Sequence, residues 1–343
     1  MADRVVLHVG AMKTGTSYIQ ARLLANQEVL REQGLLYPGR TWREQVLAVT
    51  DILGERRTGP VSAAGKWQWL VDTAADWPGT VVVSMEFLGP AAPAKIRKIV
   101  DSFGDTQVHV VMTVRDLNRN IPAMWQETVQ NYHAWTWKEH LRGVRARPGL
   151  RNAPGRNFWR QQDTPRIAKN WVDTVGAERF TIVTVPHPGA DAEVLWERFS
   201  KAVGIDAGCE PIPRSNEALG VASALVMRRL NALLKEQDLP WRSYTSLVKW
   251  GLAKHGLANH RGEESPIGFD VPRWVRKRSR QMTDQLAGLG VRVEGDLADL
   301  EPVAVPGADP NRVSERAQLD AAVAGLGDLV RLWAQDRAKK QGQ

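Results

Sequence analysis

Four apolar segments rich in β-branched residues constrain the fold of this chain more than any other feature of its sequence. They cover residues 5–9, 80–84, 108–114 and 180–185. None of them alternates apolar and polar residues as a half-exposed strand does, which is typical of strands buried on both faces of a parallel sheet. Because helical patterns separate these segments, the sequence predicts a doubly wound α/β fold with a mainly parallel sheet and flanking helices.

Helical patterns fill the intervals between the predicted strands. Apolar residues recur at helical spacing from Ser17 until Gly34, and again from Leu195 until Gly204. Residues 131–164 break this rhythm, since they are rich in Arg, Pro, Asn and Trp and show little periodicity. This stretch is therefore interpreted as an insertion, with a lid as one possible role.

The domain organisation follows from these patterns. Residues 1–220 are predicted to form the α/β core, which includes the insertion. Residues 221–343 are predicted to form a mostly helical extension, with helices at 221–235 and 271–289 and a final helix from residue 317. The 343 residues suffice for one large domain with such an appendage.

The charge balance limits the classes of partner. The 46 Lys and Arg residues outnumber the 38 Asp and Glu residues, which suits nucleic acid, an anionic membrane or an anionic small ligand. The basic run at 273–281 has the spacing of a solvated helix face, so nucleic acid is not expected as a partner. One cysteine, Cys209, fits a reducing compartment, and no run of about 20 apolar residues predicts a membrane span. We therefore expect a cytoplasmic protein without a transmembrane segment.

The first predicted strand leads into a glycine loop that is suited to holding an anion. Gly10 and Gly15 have the separation found in G-x-x-x-x-G-K-[ST] loops, but Thr16 stands where the lysine of that motif is expected. The lysine here is Lys13, between the two glycines. Backbone amides and the start of a helix still favour an anion, while the logic for Mg²⁺ is weaker. A sulfuryl group has less negative charge than a phosphoryl group, so lysine and amide donors alone can suffice for it.

The segment "KTGTS" at the start of this helix resembles the 5′-phosphosulfate loop of the sulfotransferases, including bacterial ones, that use 3′-phosphoadenosine-5′-phosphosulfate (PAPS). The resemblance implies a P-loop-like fold, transfer of a sulfuryl group, release of 3′-phosphoadenosine-5′-phosphate (PAP), and no metal. It also implies that the loop residues bind the nucleotide: Lys13, Thr14, Gly15, Thr16 and Ser17.

Two later segments extend the resemblance. "VHVVMTVRDLNRNIPAMWQE" is similar to the family's 3′-phosphate segment, in which Arg115 takes the position of the arginine that grips this phosphate. Ala123 stands where the family commonly has a serine that shares the same phosphate, so either Asn120, Gln126 or another donor replaces that serine, or the nucleotide binds more weakly. "PRSNEALG" resembles a loop that returns to the nucleotide, with Arg214 and Asn216 as donors.

A general base is needed to take the proton of the acceptor. Glu86 follows the second predicted strand in "SMEF", where the glutamate of some sulfotransferase branches is found, and it is the candidate base. Lys13, Glu86 and Arg115 each follow a different strand. Because ligands of open parallel sheets bind at the carboxyl ends of the strands, these three residues are expected to share one crevice. His133 in the insertion is the reserve candidate.

The acceptor is less constrained. Four tryptophans, Trp125, Trp135, Trp137 and Trp159, either line an apolar acceptor pocket or anchor the insertion. A hydroxyl or amine of a small molecule, a lipid or a glycan fits both interpretations. Two other classes remain open, namely a small-molecule kinase on the same scaffold and a non-catalytic protein that binds nucleotides or polyanions. The oligomeric state is not indicated.

Overall fold

A computed structural model of the chain describes residues 2–54, 62–146, 152–191, 193–206, 208–212 and 218–341. Two compact units are distinguished. The first comprises Met1–Leu117, Trp159–Ser215 and Arg273–Pro302, and the second comprises Asn118–Phe158, Asn216–Pro272 and Val303–Gln343. The boundary that was predicted at residue 220 stays a prediction.

The first unit is built on one sheet, in which the described residues form six strands that are all parallel. The strand order is β2-β3-β1-β4-β5-β6. The strands are β1 Arg4–His8, β2 Leu35–Leu36, β3 Thr80–Ser84, β4 Gln107–Val114, β5 Phe180–Thr184 and β6 Arg292–Glu294. The α/β fold class predicted from the sequence is therefore confirmed.

Helices connect the strands and continue beyond them. The α-helices are α1 Thr16–Ala25, α2 Gln27–Glu32, α3 Trp42–Leu53, α4 Lys66–Ala75, α5 Pro93–Asp101, α6 Leu117–Gln130, α7 Trp137–Arg145, α8 Ala153–Gln162, α9 Thr164–Val175, α10 Val194–Val203, α11 Val221–Glu236, α12 Trp241–Ser243, α13 Arg273–Ala287 and α14 Glu315–Gln341. Short 3₁₀-helices span Glu86–Leu88, Ala177–Arg179, Leu257–Glu263, Leu297–Leu300 and Pro310–Arg312, and Tyr244–Lys254 form a π-helix. No helix in the described part of the chain combines the length and the apolarity that crossing a lipid bilayer requires.

Both faces of the sheet are buried, because successive side chains of a strand point to opposite faces. Val5 and Leu7 of β1 belong to a core cluster that includes Trp171 of α9. Val6 belongs to the cluster on the other face, with Ile19 of α1 among its members. Apolar runs without alternation are thus explained, since both faces of these strands carry a helical layer.

The predicted strands agree with the observed ones to within one residue at each end. β2 and β6 were not predicted, because two and three residues are too short for a periodic pattern. The helix predicted from Ser17 to Gly34 is divided at Asn26, whose side-chain amide donates to the Glu210 carbonyl (3.1 Å). The predicted insertion at residues 131–164 contains α7 and α8, so it is helical although its sequence shows little periodicity.

Candidate active site

The glycine loop lies between β1 and α1 and has an unusual backbone. Gly10, Lys13 and Gly15 all adopt positive φ angles, of 75°, 63° and 85°. Left-handed residues alternating with right-handed ones turn successive N–H groups toward one point, which forms an anion-binding concavity. The first amides of α1 add to it, since they have no partner within the helix. A Cβ at Gly15 would lie 2.5 Å from the Leu195 side chain, so this loop requires glycine there.

Hydrogen bonds from beneath hold the loop in this shape. The Thr14 hydroxyl donates to the Ala11 carbonyl (2.5 Å) and lies 2.6 Å from the Thr113 hydroxyl of β4. The side-chain amide of the buried Gln162 donates to the Met12 carbonyl (2.8 Å). Thr14 is fully buried and its hydroxyl is bonded inward, so its side chain supports the loop from the protein interior.

A buried histidine links three strands beneath the loop. His8 Nδ1 lies 2.7 Å from the Ser84 hydroxyl of β3, and His8 Nε2 lies 3.2 Å from the Thr113 hydroxyl of β4. Burial lowers the pKa of His8 to about 3, so the ring is neutral at physiological pH. The chain of contacts continues through Thr113 to Thr14 and thus connects the sheet interior with the loop.

The depressed pKa of His8 gives a testable pH dependence. Between pH 6.5 and pH 3 the unfolded chain binds a proton at His8 that the folded chain does not, so stability falls as the pH is lowered through this window. We expect His8 to account for a loss of roughly 2 kcal/mol in the free energy of unfolding between pH 7 and pH 5. Urea denaturation at both pH values measures it. The His8→Gln variant keeps polar groups but does not titrate, so its free energy of unfolding should fall less between pH 7 and pH 5. A fall equal to that of the wild-type protein would contradict the assignment of this pH dependence to His8.

Glu86 begins a 3₁₀-helix directly after β3 and is fixed by a side chain of α1. Gln20 donates from Nε2 to the Ser84 carbonyl (3.0 Å) and to Glu86 Oε2 (3.1 Å). The Gln20 carbonyl oxygen accepts from Trp42 Nε1 (3.0 Å), which sets the orientation of the amide. The Glu86 carboxylate is therefore held in a defined direction at the edge of the sheet.

Gly10 brings the loop against Glu86. A Cβ at Gly10 would lie 2.5 Å from Glu86 Cβ and 3.0 Å from Glu86 Cα. Any side chain at this position would push the loop and the 3₁₀-helix apart. Gly10 therefore permits the close approach of the loop to the candidate base.

Substitution of Gly10 tests this contact. Gly10→Ala should lower the free energy of unfolding by roughly 2 to 5 kcal/mol, from the positive φ and the overlap with Glu86 together. Gly34→Ala is the matched control, because Gly34 has a φ of 77° but open space around its Cβ position. It should cost only roughly 1 to 2 kcal/mol. Equal losses in urea denaturation would show that the contact with Glu86 is not tight.

Arg115 joins the same edge from β4. It follows the last residue of that strand, and its Nη1 donates to the Lys13 carbonyl (3.3 Å). The strands β3, β1 and β4 are neighbours in the sheet. Glu86, the loop with Lys13, and Arg115 therefore lie at the carboxyl ends of three adjacent strands, where open parallel sheets bind ligands.

Two residues near Glu86, Gln20 and Tyr37, were not predicted from the sequence. Gln20 lies one helical turn after Thr16, and a polar residue at this spacing on the buried side of α1 could have indicated a contact with the site. Tyr37 follows β2, and burial together with the charge of Glu86 raises the pKa of its phenol. Its hydroxyl is buried and has no hydrogen-bond partner among the described residues. A hydrogen-bonding atom of a ligand, or a water molecule, next to Glu86 would give the Tyr37 hydroxyl a partner.

Arg214 and Asn216 fall outside the described residues. In the second unit, the Gln126 side-chain amide donates to the Leu219 carbonyl (2.7 Å). His133 is stacked on Trp135 at 4.1 Å between ring centroids, and burial and the charge of Lys235 lower the pKa of its ring. The proposed substitute for the missing serine and the reserve base both stay predictions.

The tryptophans that were predicted to line an acceptor pocket or to anchor the insertion pack into the protein. Trp125 and Trp137 are buried and meet edge to face at 5.4 Å, and Trp125 Nε1 donates to the Trp135 carbonyl (3.0 Å). In the first unit, Trp159 is buried with the Arg278 guanidinium 5.1 Å from its ring centroid. These contacts fit an anchoring role. A role in an acceptor pocket stays a prediction.

Comparison with known proteins adds one structural neighbour. The crystal structure of a sulfotransferase from Alicyclobacillus acidocaldarius aligns with 69% of this chain and 93% of its own, at 15% sequence identity and a TM-score of 0.41. No protein-family model matches the chain, and no curated protein matches it. Likeness at this level does not bear on activity, so the function is inferred from the residues of the site.

Proposed function

We propose that this protein is a sulfotransferase that moves a sulfuryl group from PAPS to a hydroxyl or an amine of a small-molecule, lipid or glycan acceptor. The observation that supports this most directly is the grouping of three chemically distinct side chains around the glycine loop between β1 and α1. Glu86 lies against Gly10 of the loop, and Arg115 donates to the carbonyl of Lys13. A base, a cation for the leaving group and a guanidinium for a second phosphate are what this transfer requires.

In this proposal the glycine loop and Arg115 bind the nucleotide. Backbone amides from Thr14 to Ser17, at the start of α1, would hold the 5′-phosphate. Arg115 would grip the 3′-phosphate, for which a guanidinium offers two parallel donors. Arg214 and Asn216 remain proposed donors from a loop outside the described residues.

The chemical step is an in-line displacement at sulfur. PAPS, when bound, supplies the sulfuryl group and departs as PAP. The acceptor oxygen or nitrogen forms its bond to sulfur as the bond from sulfur to the bridging phosphate oxygen breaks. Glu86 takes the proton of the acceptor, and Lys13 stabilises the charge that develops on the bridging oxygen. The amide of Gln20 donates to the Glu86 carboxylate and holds it in position.

A small-molecule kinase is the second candidate, because one observation favours it. Glu86 lies directly beside the loop, and a carboxylate in such a place can hold the Mg²⁺ that phosphoryl transfer normally needs. The residue after the second glycine counts against a kinase, since Thr16 stands where the phosphate-binding lysine is expected.

A product assay separates these candidates. The protein is incubated with PAPS and a panel of phenols, alcohols, amines and sugars, without metal, and release of PAP is measured. The same panel is tested with ATP and Mg²⁺ for release of ADP. PAP release that depends on the acceptor supports the proposal. ADP release alone would establish a kinase, and no release with either donor would favour a protein that only binds nucleotides.

A further inference from the structure

The long helix α14 carries apolar or small residues on two opposite sides. Its inner side packs within the second unit. Ala321 is buried there, and a Cβ at Gly325 would lie 2.5 Å from the Leu257 side chain. The buried Asp328 accepts a hydrogen bond from the Asn259 side chain (3.3 Å) on the same side. One face of α14 therefore meets the rest of its unit closely, which stabilises the helix.

The other side of α14 exposes a row of large apolar residues, here called the outer seam. Its members are 62%, 60%, 57%, 60% and 53% exposed, in the order Leu319, Val323, Leu326, Val330 and Trp333. Large apolar side chains arranged contiguously on the surface of a soluble protein indicate an interaction site. A helix that is apolar on both sides is normally covered on both.

The spacing in the outer seam indicates what covers it. Successive members are four, three, four and three residues apart, which is the heptad repeat of a helix that pairs with another helix. In that repeat Val323 and Val330 occupy the a positions, while Leu319, Leu326 and Trp333 occupy the d positions. A β-branched residue at a with leucine at d favours two-stranded packing. The pattern therefore indicates one partner helix with the same heptad repeat.

We propose that the outer seam packs against the outer seam of a second copy of this chain, forming a two-fold symmetric dimer through α14. The seam supplies both the knobs and the holes of such a pair, so it is complementary to itself, as a two-fold interface must be. Arg316 and Arg337 occupy the next a positions at either end. They limit the apolar contact to the five members of the seam.

The short seam suffices because α14 is already folded. An isolated pair of helices of this length would have to form helix and contact together, which is unfavourable. Here the inner side holds α14 in the helical state, so association does not bear that cost. The apolar surface also continues past Leu319, which lines a cleft with Leu230 and Leu233 of α11. Leu233 is 49% exposed and enlarges the surface available to a second copy.

Sedimentation equilibrium of the full chain at concentrations of about 1 to 100 µM tests the proposal. The wild-type chain should have twice the mass of one chain. The variant with Val323→Glu and Leu326→Glu should have the mass of one chain at the same concentrations, because dimerisation would bury its glutamate charges in the seam. Leu247→Glu is the control, since Leu247 is a 47% exposed leucine of the π-helix outside the seam. It should remain dimeric.

Each alternative result overturns the proposal. A wild-type chain that stays monomeric has no self-association to explain, and a seam variant that stays dimeric associates through another surface. Binding of monomeric wild-type protein to vesicles of anionic phospholipid, lost in the seam variant, would assign the seam to a membrane instead. If the glutamate variant does not fold by circular dichroism, the milder Val323→Thr with Leu326→Gln variant should show at least a 10-fold weaker dimer. An unchanged dimer would then overturn the proposal.

Discussion

Glu86→Gln should lower the rate of PAP release about 10²- to 10⁴-fold, because it removes the carboxylate that we propose takes the proton of the acceptor. Glutamine has the shape of glutamate and can still accept the hydrogen bond from Gln20, so the contacts of the loop should persist. Binding of PAP should therefore remain close to that of the wild-type protein. Single-turnover measurements with the acceptor that gives the fastest release, together with a PAP titration, separate the two effects.

The control for this variant is Glu197→Gln, which changes an exposed glutamate of α10. It should leave both the rate and the binding of PAP unchanged. Full turnover in Glu86→Gln would refute the assignment of the base. His133→Gln would then be the next variant to measure, since His133 is the reserve candidate.

Lys13→Met is the second substitution with a large expected effect. It removes the ammonium group that we propose stabilises the bridging oxygen of the leaving PAP, and loss of one such group costs about 10²- to 10³-fold in kcat. Lys13 has a φ of 63°, and lysine and methionine bear the same backbone cost at that angle. The thermal midpoint should therefore change little. The ratio of kcat values and the two melting curves measure these expectations.

Lys169→Met is a suitable control, because Lys169 is an exposed lysine of α9 paired with Asp173 at 2.8 Å. It should leave kcat unchanged. A loss of less than 10-fold in Lys13→Met would place the stabilisation of the leaving group elsewhere, for example on Arg115, which donates to the Lys13 carbonyl.

The central sheet could be predicted because its strands are apolar on both faces. Residues 80–84, for example, lie between helical layers and therefore show a continuous run. The same physics explains why Lys13, Glu86 and Arg115 were expected together, since residues that follow adjacent parallel strands meet at one edge. Their chemical roles stay predictions, because position alone does not establish them.

The contacts that complete the site could not be predicted from the sequence. Gln20 reaches Glu86 only because α1 packs on the sheet with that side toward β3, and an amide in a helix has many alternative partners. The path from His8 through Thr113 to Thr14 depends on the register of β1 and β4, which are distant in the chain. Tyr37 follows a strand of two residues, which leaves no periodic signal.

Calorimetric titration with PAP, in the absence of metal, tests the central claim most directly. The wild-type protein should bind PAP selectively, more tightly than ATP with Mg²⁺ and more tightly than 5′-AMP, which lacks the 3′-phosphate. Arg115→Ala should weaken binding of PAP at least about 10-fold and leave 5′-AMP nearly unaffected, because in the proposed complex the guanidinium holds the 3′-phosphate, which 5′-AMP lacks. Tighter binding of ATP with Mg²⁺ than of PAP would contradict a PAPS site. Salt-sensitive binding of any polyanion, unchanged in Arg115→Ala, would also contradict it.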